Sequence, residues 1–294
     1  MSAPAAEAYR ARFRKLLDYV DAHLDEALGL DRLSSMAAFS KFHFQRQFSE
    51  LFGISLYKYV QLSRLKRAAY QLAFRGDSRI LDIALASGYD GPESFARAFK
   101  KCVGQSPSEF RTQPAWAAWG EAYQPLKQMR FDHMTPESRS GQVQIIDFQE
   151  TRVAVLEHHG DPTLLGDSIR KFIAWRRQNQ LPPSVSATFN LAYNDPIESE
   201  PGEFRFDLCA ATEREVTANP FGVVAKVIPG GRCAVLRHIG SDDNLGKVVT
   251  YLYSEWLPHS REELRDFPLF FQRVRFFPDV AEHEAVTDVF LPLR

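Results

Sequence analysis

The stretch SKFHFQRQF, residues 40–48, decides how the first third of the chain folds. On a helix that turns by about 100° per residue, its last two phenylalanines point to one side, as core residues do. Gln45 and Arg46 point to the opposite side, and Phe42 lies among them on the face that meets water. A large apolar ring beside an amide and a guanidinium on an exposed face indicates a binding surface.

The same pattern recurs 51 residues later in the chain. The segment FQRQFSELFGIS (44–55) aligns with FARAFKKCVGQS (95–106), and the two share Phe, Arg, Phe, Gly and Ser at matching positions. Ahead of each copy, LDRLSSMAAFS and LDIALASGYDG each predict a short helix followed by a tight turn. A repeat of this length indicates one structural unit used twice. Each unit is a helix-turn-helix, whose second helix can lie in the major groove of DNA.

The remainder of the front half completes an all-α domain over residues 1–112. SLYKYVQLSRLKRAAYQLAF (55–74) has apolar positions at helical spacing and predicts a long helix that joins the two units. Another helix is expected within 7–28. Residues 1–112 contain 17 Lys and Arg against 12 Asp and Glu, a net charge of +5, whereas the rest contains 19 against 25, a net charge of −6. This asymmetry favours a polyanion-binding front half, with chance unevenness of surface charge as the alternative.

These residues resemble the DNA-binding domain of the AraC/XylS family of bacterial transcription regulators, over about residues 8–112. The resemblance rests on the paired F-x-R-x-F cores, the helix start ILDIALASGY and the closing GQSPSEFR. It implies two reading helices in successive major-groove segments, with Phe42, Gln45 and Arg46 toward bases and sugars. The chemistry agrees, because Arg pairs with guanine, Gln with adenine, and an apolar ring packs on a thymine methyl. The first turn departs from the family, with Ala38 where a glycine is usual.

An alternative exists for the first reading helix. Phe42 would then fold back against the amino-terminal helix, and Arg46 would make an ordinary surface ion pair.

The second reading helix, 92–103, also departs from the family. Its exposed side carries Glu93, Ser94, Arg97 and Lys101, and Asp90 or Gly91 is its expected cap. Glu93 either neutralises Arg97 four residues later or accepts a hydrogen bond from cytosine N4. We therefore expect weak or altered base reading by this helix, with Arg97 on a phosphate.

The predicted DNA contacts fall into two sets. The base-reading candidates are Phe42, Gln45, Arg46, Ser49, Glu93, Ser94 and Arg97. The phosphate candidates, which should make binding steeply salt-dependent, are Lys41, Lys58, Arg64, Arg67, Lys100 and Lys101.

The rear half contains a second repeat, at an offset of 80 residues. RVAVLEHHG (152–160) aligns with RCAVLRHIG (232–240), and each is a strand-like run that ends in glycine. Each is followed by an amphipathic helix, roughly 163–179 and 242–256, and then by two more strand-like runs. Strand–helix–strand–strand, twice, predicts a pseudo-twofold α+β domain (duplicated β-α-β-β) around a central groove.

This half resembles the GyrI-like effector-binding domain, over about 142–294, and the fused order is similar to that of Rob-type regulators. The motifs are AYNDP, IPGGRCAVLRHIG, SEWLP and TDVFLPL. The resemblance implies an aromatic groove for flat, often cationic organic molecules, frequently with a central glutamate. Here PLFFQRV places Phe271 or Gln272 at that position, so a preference for cations is not expected. The groove candidates, for which core packing is the alternative, are Trp175, Tyr193, Trp256, Phe270, Phe271 and Gln272.

Histidines in EHHGD and AEHEA raise the question of a metal or hydrolase site. His158 and His238 are repeat mates at strand ends, which indicates structural roles. The sequence contains no H-E-x-x-H, G-x-S-x-G or phosphate-loop motif. No catalytic residue, metal ligand or cofactor is predicted. Two alternatives for the rear half are a hydrolase of reactive small molecules, which would need a positioned acid or base, and a protein-tethering module.

The sequence therefore predicts two domains, 1–112 and 142–294, joined by a linker at 113–141, which lacks sustained periodicity and leaves room for a short helical patch. Three widely spaced cysteines in apolar patterns indicate buried free thiols in a reducing cytoplasm, and no run is long and apolar enough for a membrane span. We expect a cytoplasmic, sequence-specific DNA-binding transcription regulator. Its expected partners are double-stranded DNA, RNA polymerase and a small aromatic or amphipathic organic effector.

Overall fold

The computed structural model describes residues 3–133, 143–196, 199–200 and 202–294. Over these residues the chain forms two compact units. The helical unit comprises the described part of Met1–Thr135 and a short segment from much later in the chain, Phe277–His283. The sheet unit comprises the described parts of Pro136–Phe276 and Glu284–Arg294. None of the helices in the described ranges has the length and apolar character that crossing a membrane requires.

The helical unit contains the two predicted helix-turn-helix copies and the long helix between them. Its helices are α1 (Ala3–Ala22), α2 (Leu30–Met36), α3 (Lys41–Phe52), α4 (Leu56–Phe74), α5 (Ile80–Ala86), α6 (Pro92–Val103), α7 (Pro107–Thr112) and α8 (Trp116–His133). The first copy is α2 and α3, and the second is α5 and α6. The amino-terminal helix ends earlier than the expected 28.

Both copies bury the phenylalanines of their second helix. Phe44 and Phe48 in α3, like Phe95 and Phe99 in α6, have no exposed surface. Each of these helices ends at a glycine in the left-handed conformation, which glycine adopts without steric cost. The four rings belong to one apolar core that also takes in α1, α4 and α8. That shared core holds the two reading helices on one framework.

Part of the predicted linker 113–141 is a helix of this unit. α8 buries Trp119, Tyr123, Leu126 and Met129, at spacings of three and four residues, against the common core. The sequence left room only for a short helical patch in this stretch, because Gly120 and an internal proline obscure a regular apolar face. The rest of the predicted linker, beyond His133, lies largely outside the described residues.

A buried group of charged side chains lies beside the first copy. Arg130 of α8 donates to Asp21 of α1 (Nη2 to Oδ2, 2.8 Å) and to Glu282, and Lys66 of α4 also pairs with Glu282. All four side chains are nearly or fully buried. Two cations and two anions balance, as burial of charge requires. Glu282 belongs to the segment Phe277–His283, so residues far apart in the chain complete this ion cluster.

Within its described residues the sheet unit is built on one antiparallel sheet of eight strands. They are β1 (Gln144–Phe148), β2 (Thr151–His159), β3 (Thr188–Ala192), β4 (Arg205–Ala211), β5 (Val224–Ile228), β6 (Gly231–Ile239), β7 (Leu269–Arg275) and β8 (Val286–Pro292). Their order is β1-β6-β8-β7-β3-β4-β2-β5. The six predicted strands form two equivalent halves that meet at the β3–β7 pair, where Asn190 lies opposite Phe271.

The edge strands were not predicted, and each pairs with the other half. β1 precedes β2 in the chain but pairs with β6, and β5 precedes β6 but pairs with β2. Both are short and carry mostly exposed residues. Because apolar and polar residues alternate only weakly in these two strands, the sequence pattern did not predict them.

Two helical segments cover one face of the sheet. α9 (Leu165–Gln178) packs on β2 and β4, with Phe172 and Trp175 in its core. The second segment packs on β6 and β8 and consists of α10 (Leu245–Tyr251), a wider π-type turn (Leu252–Trp256) and α11 (Leu257–Ser260). The predicted duplicated β-α-β-β fold is confirmed. The opposite face carries a third apolar cluster that includes both predicted buried thiols of this unit, Cys209 and Cys233.

Candidate nucleic-acid interface and effector region

The first reading helix presents the predicted face to solvent. Phe42 is 91% exposed, and Gln45 and Arg46 are also exposed, while Ser49 is partly covered. The alternative in which Phe42 folds back onto α1 is not adopted. In the described chain Arg46 has no ion-pair partner. The opposite side of the helix is anchored in the core, so the exposed face is held in a fixed orientation.

The second reading helix begins at Pro92, with Gly91 as its N-cap. Glu93 and Arg97 are exposed, and within the described structure they form no ion pair with each other. The Glu93 carboxylate instead lies near Gly91, where the positive end of the helix dipole stabilises it. Arg97 is therefore not neutralised by Glu93. The Ser94 hydroxyl donates to the Gly91 carbonyl (3.0 Å), which leaves it less available to a base.

The lysine candidates for phosphate contacts lie at the surface or near it. Lys100 and Lys101 are exposed in the last turn of α6. Lys41, at the start of α3, forms an exposed ion pair with Asp31 (2.5 Å), which phosphate can replace at little cost. Lys58 and Arg67 are partly covered along α4.

Arg64 differs from the other phosphate candidates. Its Nε donates to the Leu24 carbonyl (2.9 Å) and its Nη2 to the Glu26 carbonyl (2.7 Å). Burial lowers the pKa of this guanidinium from its ordinary value. Two backbone acceptors already occupy the side chain, so the structure gives Arg64 an internal role that the sequence pattern did not indicate.

A cleft of about 1090 Å³ lies between the two reading helices. α3 contributes Gln45, Arg46 and Ser49 to its wall, and α6 contributes Ala98. Tyr57, exposed at the start of α4, also lines it and was not among the predicted contacts. Its position next to a tight turn, outside both reading helices, gave no periodic signal.

The six predicted effector residues do not share one surface. Phe271 and Trp256 belong to the cluster under the second helical segment, and Trp175 lies in the core under α9. Phe270 is fully buried on the opposite face and stacks on Phe290 at 4.7 Å. The two remaining residues, which are the more accessible ones on that opposite face, are Tyr193 and Gln272.

Tyr193 is part of a polar cluster that the sequence analysis missed. Its hydroxyl donates to Asp207 (3.0 Å), and the Arg205 guanidinium stacks on its ring at 3.7 Å. Asp207 is fully buried and also accepts from Lys226 (3.0 Å), which in turn pairs with Glu157. The hydrogen bond from Lys226 lowers the pKa of Glu157. Glu157 and Asp207 face each other directly across β2 and β4, and this pairing is not visible without the strand register.

The repeat-mate histidines have matching structural roles. His158 and His238 are both buried, and Nε2 of each lies within hydrogen-bonding distance of the carbonyl three residues later, at Asp161 and Ser241. Among the described residues, no three His, Cys, Asp or Glu side chains are arranged to hold a metal ion.

Comparison with known proteins assigns each half of the chain. Residues 33–113 match the helix-turn-helix domain family, and residues 141–294 match the GyrI-like small molecule binding domain family. The probable transcriptional regulator YgiV of Escherichia coli K12 is 40% identical over 152 residues, 51% of this chain and 95% of that protein. The right origin-binding protein of the same strain is 41% identical over 108 residues, 36% of this chain and 37% of that protein. The transcriptional regulator Rob of Salmonella typhimurium is 40% identical over 108 residues.

The fold and these matches define a class: DNA-binding regulators that join an AraC-type helix-turn-helix domain to a GyrI-like domain. The GyrI-like match covers more than half of the sequence, and the chain belongs to the GyrI-like family.

Proposed function

We propose that the chain controls transcription by reading two successive major-groove segments with α3 and α6. The observation that carries this proposal is the exposed row of Phe42, Gln45 and Arg46 on a helix whose other side is anchored in the core by Phe44 and Phe48. A solvent-exposed phenylalanine has no role in the stability of the fold, whereas on DNA it can pack on a thymine methyl.

Within this proposal the two helices do different work. Arg46 bonds guanine, Gln45 bonds adenine, and Ser49 extends the same face. On α6, Arg97 binds phosphate or a base edge, and Glu93 accepts from cytosine. Phosphate contacts come from the exposed lysines at both helices, and counterion release makes affinity fall steeply with salt.

The test is selection of the purified chain on a random duplex library, followed by sequencing. Two enriched tracts about one helical turn apart support base reading by both helices. A single tract means that α6 only grips the backbone. Binding without any enrichment contradicts sequence-specific regulation.

A substitution in α3 then assigns the contact. Arg46→Ala should weaken binding to the selected duplex by about 1–3 kcal/mol and relax one base position. Lys101→Ala is the matched control at an exposed cation, and it should weaken all sequences equally. Equal loss on all sequences for Arg46→Ala would place Arg46 on phosphate.

For the sheet unit we propose that it binds a flat aromatic or amphipathic organic molecule for which positive charge is not required. The family description, a small molecule binding domain, supports binding. Gln272, the accessible candidate at the position of the family's glutamate, is neutral, so it offers a cation no charge to pair with. The measurement is tryptophan fluorescence during titration with matched neutral and cationic dyes. Wild type should not favour the cationic dye, and Gln272→Glu should.

RNA polymerase is the proposed protein partner, because a promoter-bound regulator acts on the enzyme that initiates transcription. In vitro transcription from a promoter carrying the selected site should change when the chain is added. Turnover of electrophilic small molecules, or capture of a macromolecule by the sheet unit without any small-molecule binding, would favour the hydrolase or the tethering alternative.

A further inference from the structure

Arg64 lies where three parts of the helical unit meet. It projects from α4, and its two hydrogen bonds reach the carbonyls of Leu24 and Glu26, in the turn that follows α1. α1 packs on the first copy through ring contacts, such as that between Phe13 and Phe48. The guanidinium therefore connects the long helix to the framework of the first reading helix.

The third part is the turn of the second copy. Gly88 has a left-handed backbone (φ +69°), and a Cβ at this position would lie 2.4 Å from both the Leu24 carbonyl and Arg64 Nη2. The turn that leads into α6 thus passes directly over the Arg64 hydrogen bonds. The second turn therefore lies against the end of α1 at the point where Arg64 bonds the Leu24 carbonyl.

We propose that Arg64 is a positioning residue that fixes the separation of α3 and α6, and with it the spacing of the two DNA tracts that the chain reads. This inference rests on the proposed base reading by both helices. Successive major-groove segments on one face of DNA are about 34 Å apart, and a reading helix must match both that distance and the rotation of the groove. A movable second turn would let α6 miss its groove while α3 still binds.

This role differs chemically from a phosphate contact. A phosphate is bound by the ammonium of lysine as well as by a guanidinium, whereas the two carbonyls here are bonded from two different nitrogens, Nε and Nη2. Lysine has a single side-chain nitrogen and cannot reproduce that pair of positions. Arg64→Lys therefore separates the two roles. A lysine that restores binding indicates a phosphate contact, and a lysine that behaves like alanine indicates positioning.

The experiment uses the full chain and the duplex selected on a random library. Affinity and hydroxyl-radical footprints are measured on this duplex and on versions with one or two base pairs inserted or removed between the two protected segments. Wild type should strongly prefer the original spacing. Arg64→Ala and Arg64→Lys should each lose about tenfold in affinity at that spacing and should bind the altered spacings almost as well. Their footprint over the α6 segment should weaken while the α3 segment stays protected.

The controls keep folding, phosphate contact and positioning apart. Lys100→Ala, a proposed phosphate contact, should reduce the slope of log affinity against log salt by about 1 and leave the spacing preference unchanged. The Arg64 variants should leave that slope unchanged. Should Arg64→Ala fail to fold, as judged by circular dichroism, Arg64→Lys carries the test.

Two results would overturn the proposal: an unchanged spacing preference in a folded Arg64 variant, or full recovery by lysine. If wild type itself selects no sequence, the proposed function fails and this proposal, which rests on it, fails with it. If wild type selects two tracts and a folded Arg64 variant keeps the spacing preference, this proposal alone fails.

Discussion

The two copies of the helix-turn-helix adopt the same turn with different residues. Ala38 in the first copy has φ 57°, and Gly88 in the second has φ 69°. Both amides donate to the carbonyl three residues earlier. The first turn is exposed and accepts the modest strain of alanine, whereas the second has the Leu24 carbonyl and Arg64 where a Cβ would lie. Both turns require the left-handed backbone conformation, but the atoms packed against each turn decide whether a residue with a Cβ fits there.

A second difference concerns one buried residue in the helix that follows each reading helix. Tyr59 and Phe110 occupy matching repeat positions, and both are fully buried. The Tyr59 hydroxyl donates to Asp21 (3.0 Å) and accepts from Arg130 (3.3 Å), whereas Phe110 packs among aromatic rings such as that of Trp116. At this matching position the first copy therefore contacts buried charge, whereas the second contacts aromatic rings.

The largest effect should come from removing one anion next to the first copy. Glu282→Ala leaves Lys66 and Arg130 buried with only Asp21, and it should lower the free energy of unfolding by about 3–5 kcal/mol. Asp279→Ala is the matched control in the same segment, because it breaks the more exposed pair with Arg75 (2.6 Å), at a cost of about 0–1 kcal/mol. Urea denaturation followed by circular dichroism measures both. Equal losses would show that the buried cluster adds nothing specific to the first copy.

The next effect tests the two turns. Gly88→Ala forces a Cβ against a backbone oxygen and should cost about 3 kcal/mol of unfolding free energy. Gly53→Ala imposes the same left-handed strain at φ +68° with no atom within 4 Å, so it should cost only about 1 kcal/mol. Thermal unfolding of the two variants gives the difference. If they are equally destabilised, backbone strain alone explains the glycine, and the contact with Arg64 has no part in it.

A smaller effect is expected from making the first copy resemble the second. Tyr59→Phe removes one hydrogen bond from Asp21 and one acceptor from Arg130, and it should cost about 1–2 kcal/mol. The reciprocal Phe110→Tyr places a hydroxyl in an apolar site and should cost a similar amount. Chemical denaturation of the single variants measures both. If the Tyr59→Phe protein is as stable as wild type, the hydrogen bonds of Tyr59 to the buried charges do not contribute to stability, and the energetic difference between the two copies at this position is disproved.

The smallest effect concerns the sheet repeat and depends on pH. Burial lowers the pKa of His158 below its ordinary 6.5. As the pH falls through 6.5, His158 is therefore protonated in the unfolded chain before it is protonated in the folded chain. The contribution of His158 is fully present above about pH 6.5 and is lost as the pH falls below it. Melting temperatures of wild type and His158→Gln should therefore converge toward low pH. A constant difference between them would mean that His158 does not titrate differently in the two states.

Local spacing was enough to predict the repeated architecture of both halves. Paired phenylalanines at helical spacing predicted α3 and α6, and the paired strand motifs predicted six of the eight strands in the described part of the chain, because these patterns arise from neighbours along the chain. The exposed row at Phe42 was predicted for the same reason, since it breaks an otherwise regular pattern. The DNA contacts themselves stay predictions.

What the sequence by itself determined is therefore the elements of the two repeats, which side of each is apolar and how often the units repeat. Only the tertiary structure decided that Arg64 bonds two carbonyls instead of pointing to solvent, that Glu282 completes an ion cluster with Lys66 and Arg130, and that the effector candidates lie on opposite faces of one sheet. The physical reason is the separation of the interacting residues along the chain. The periodicity of apolar residues shows which side of a helix or strand is buried, because those residues are close in sequence. The hydrogen bonds and ion pairs named here join residues far apart in sequence, so no repeating pattern predicts them.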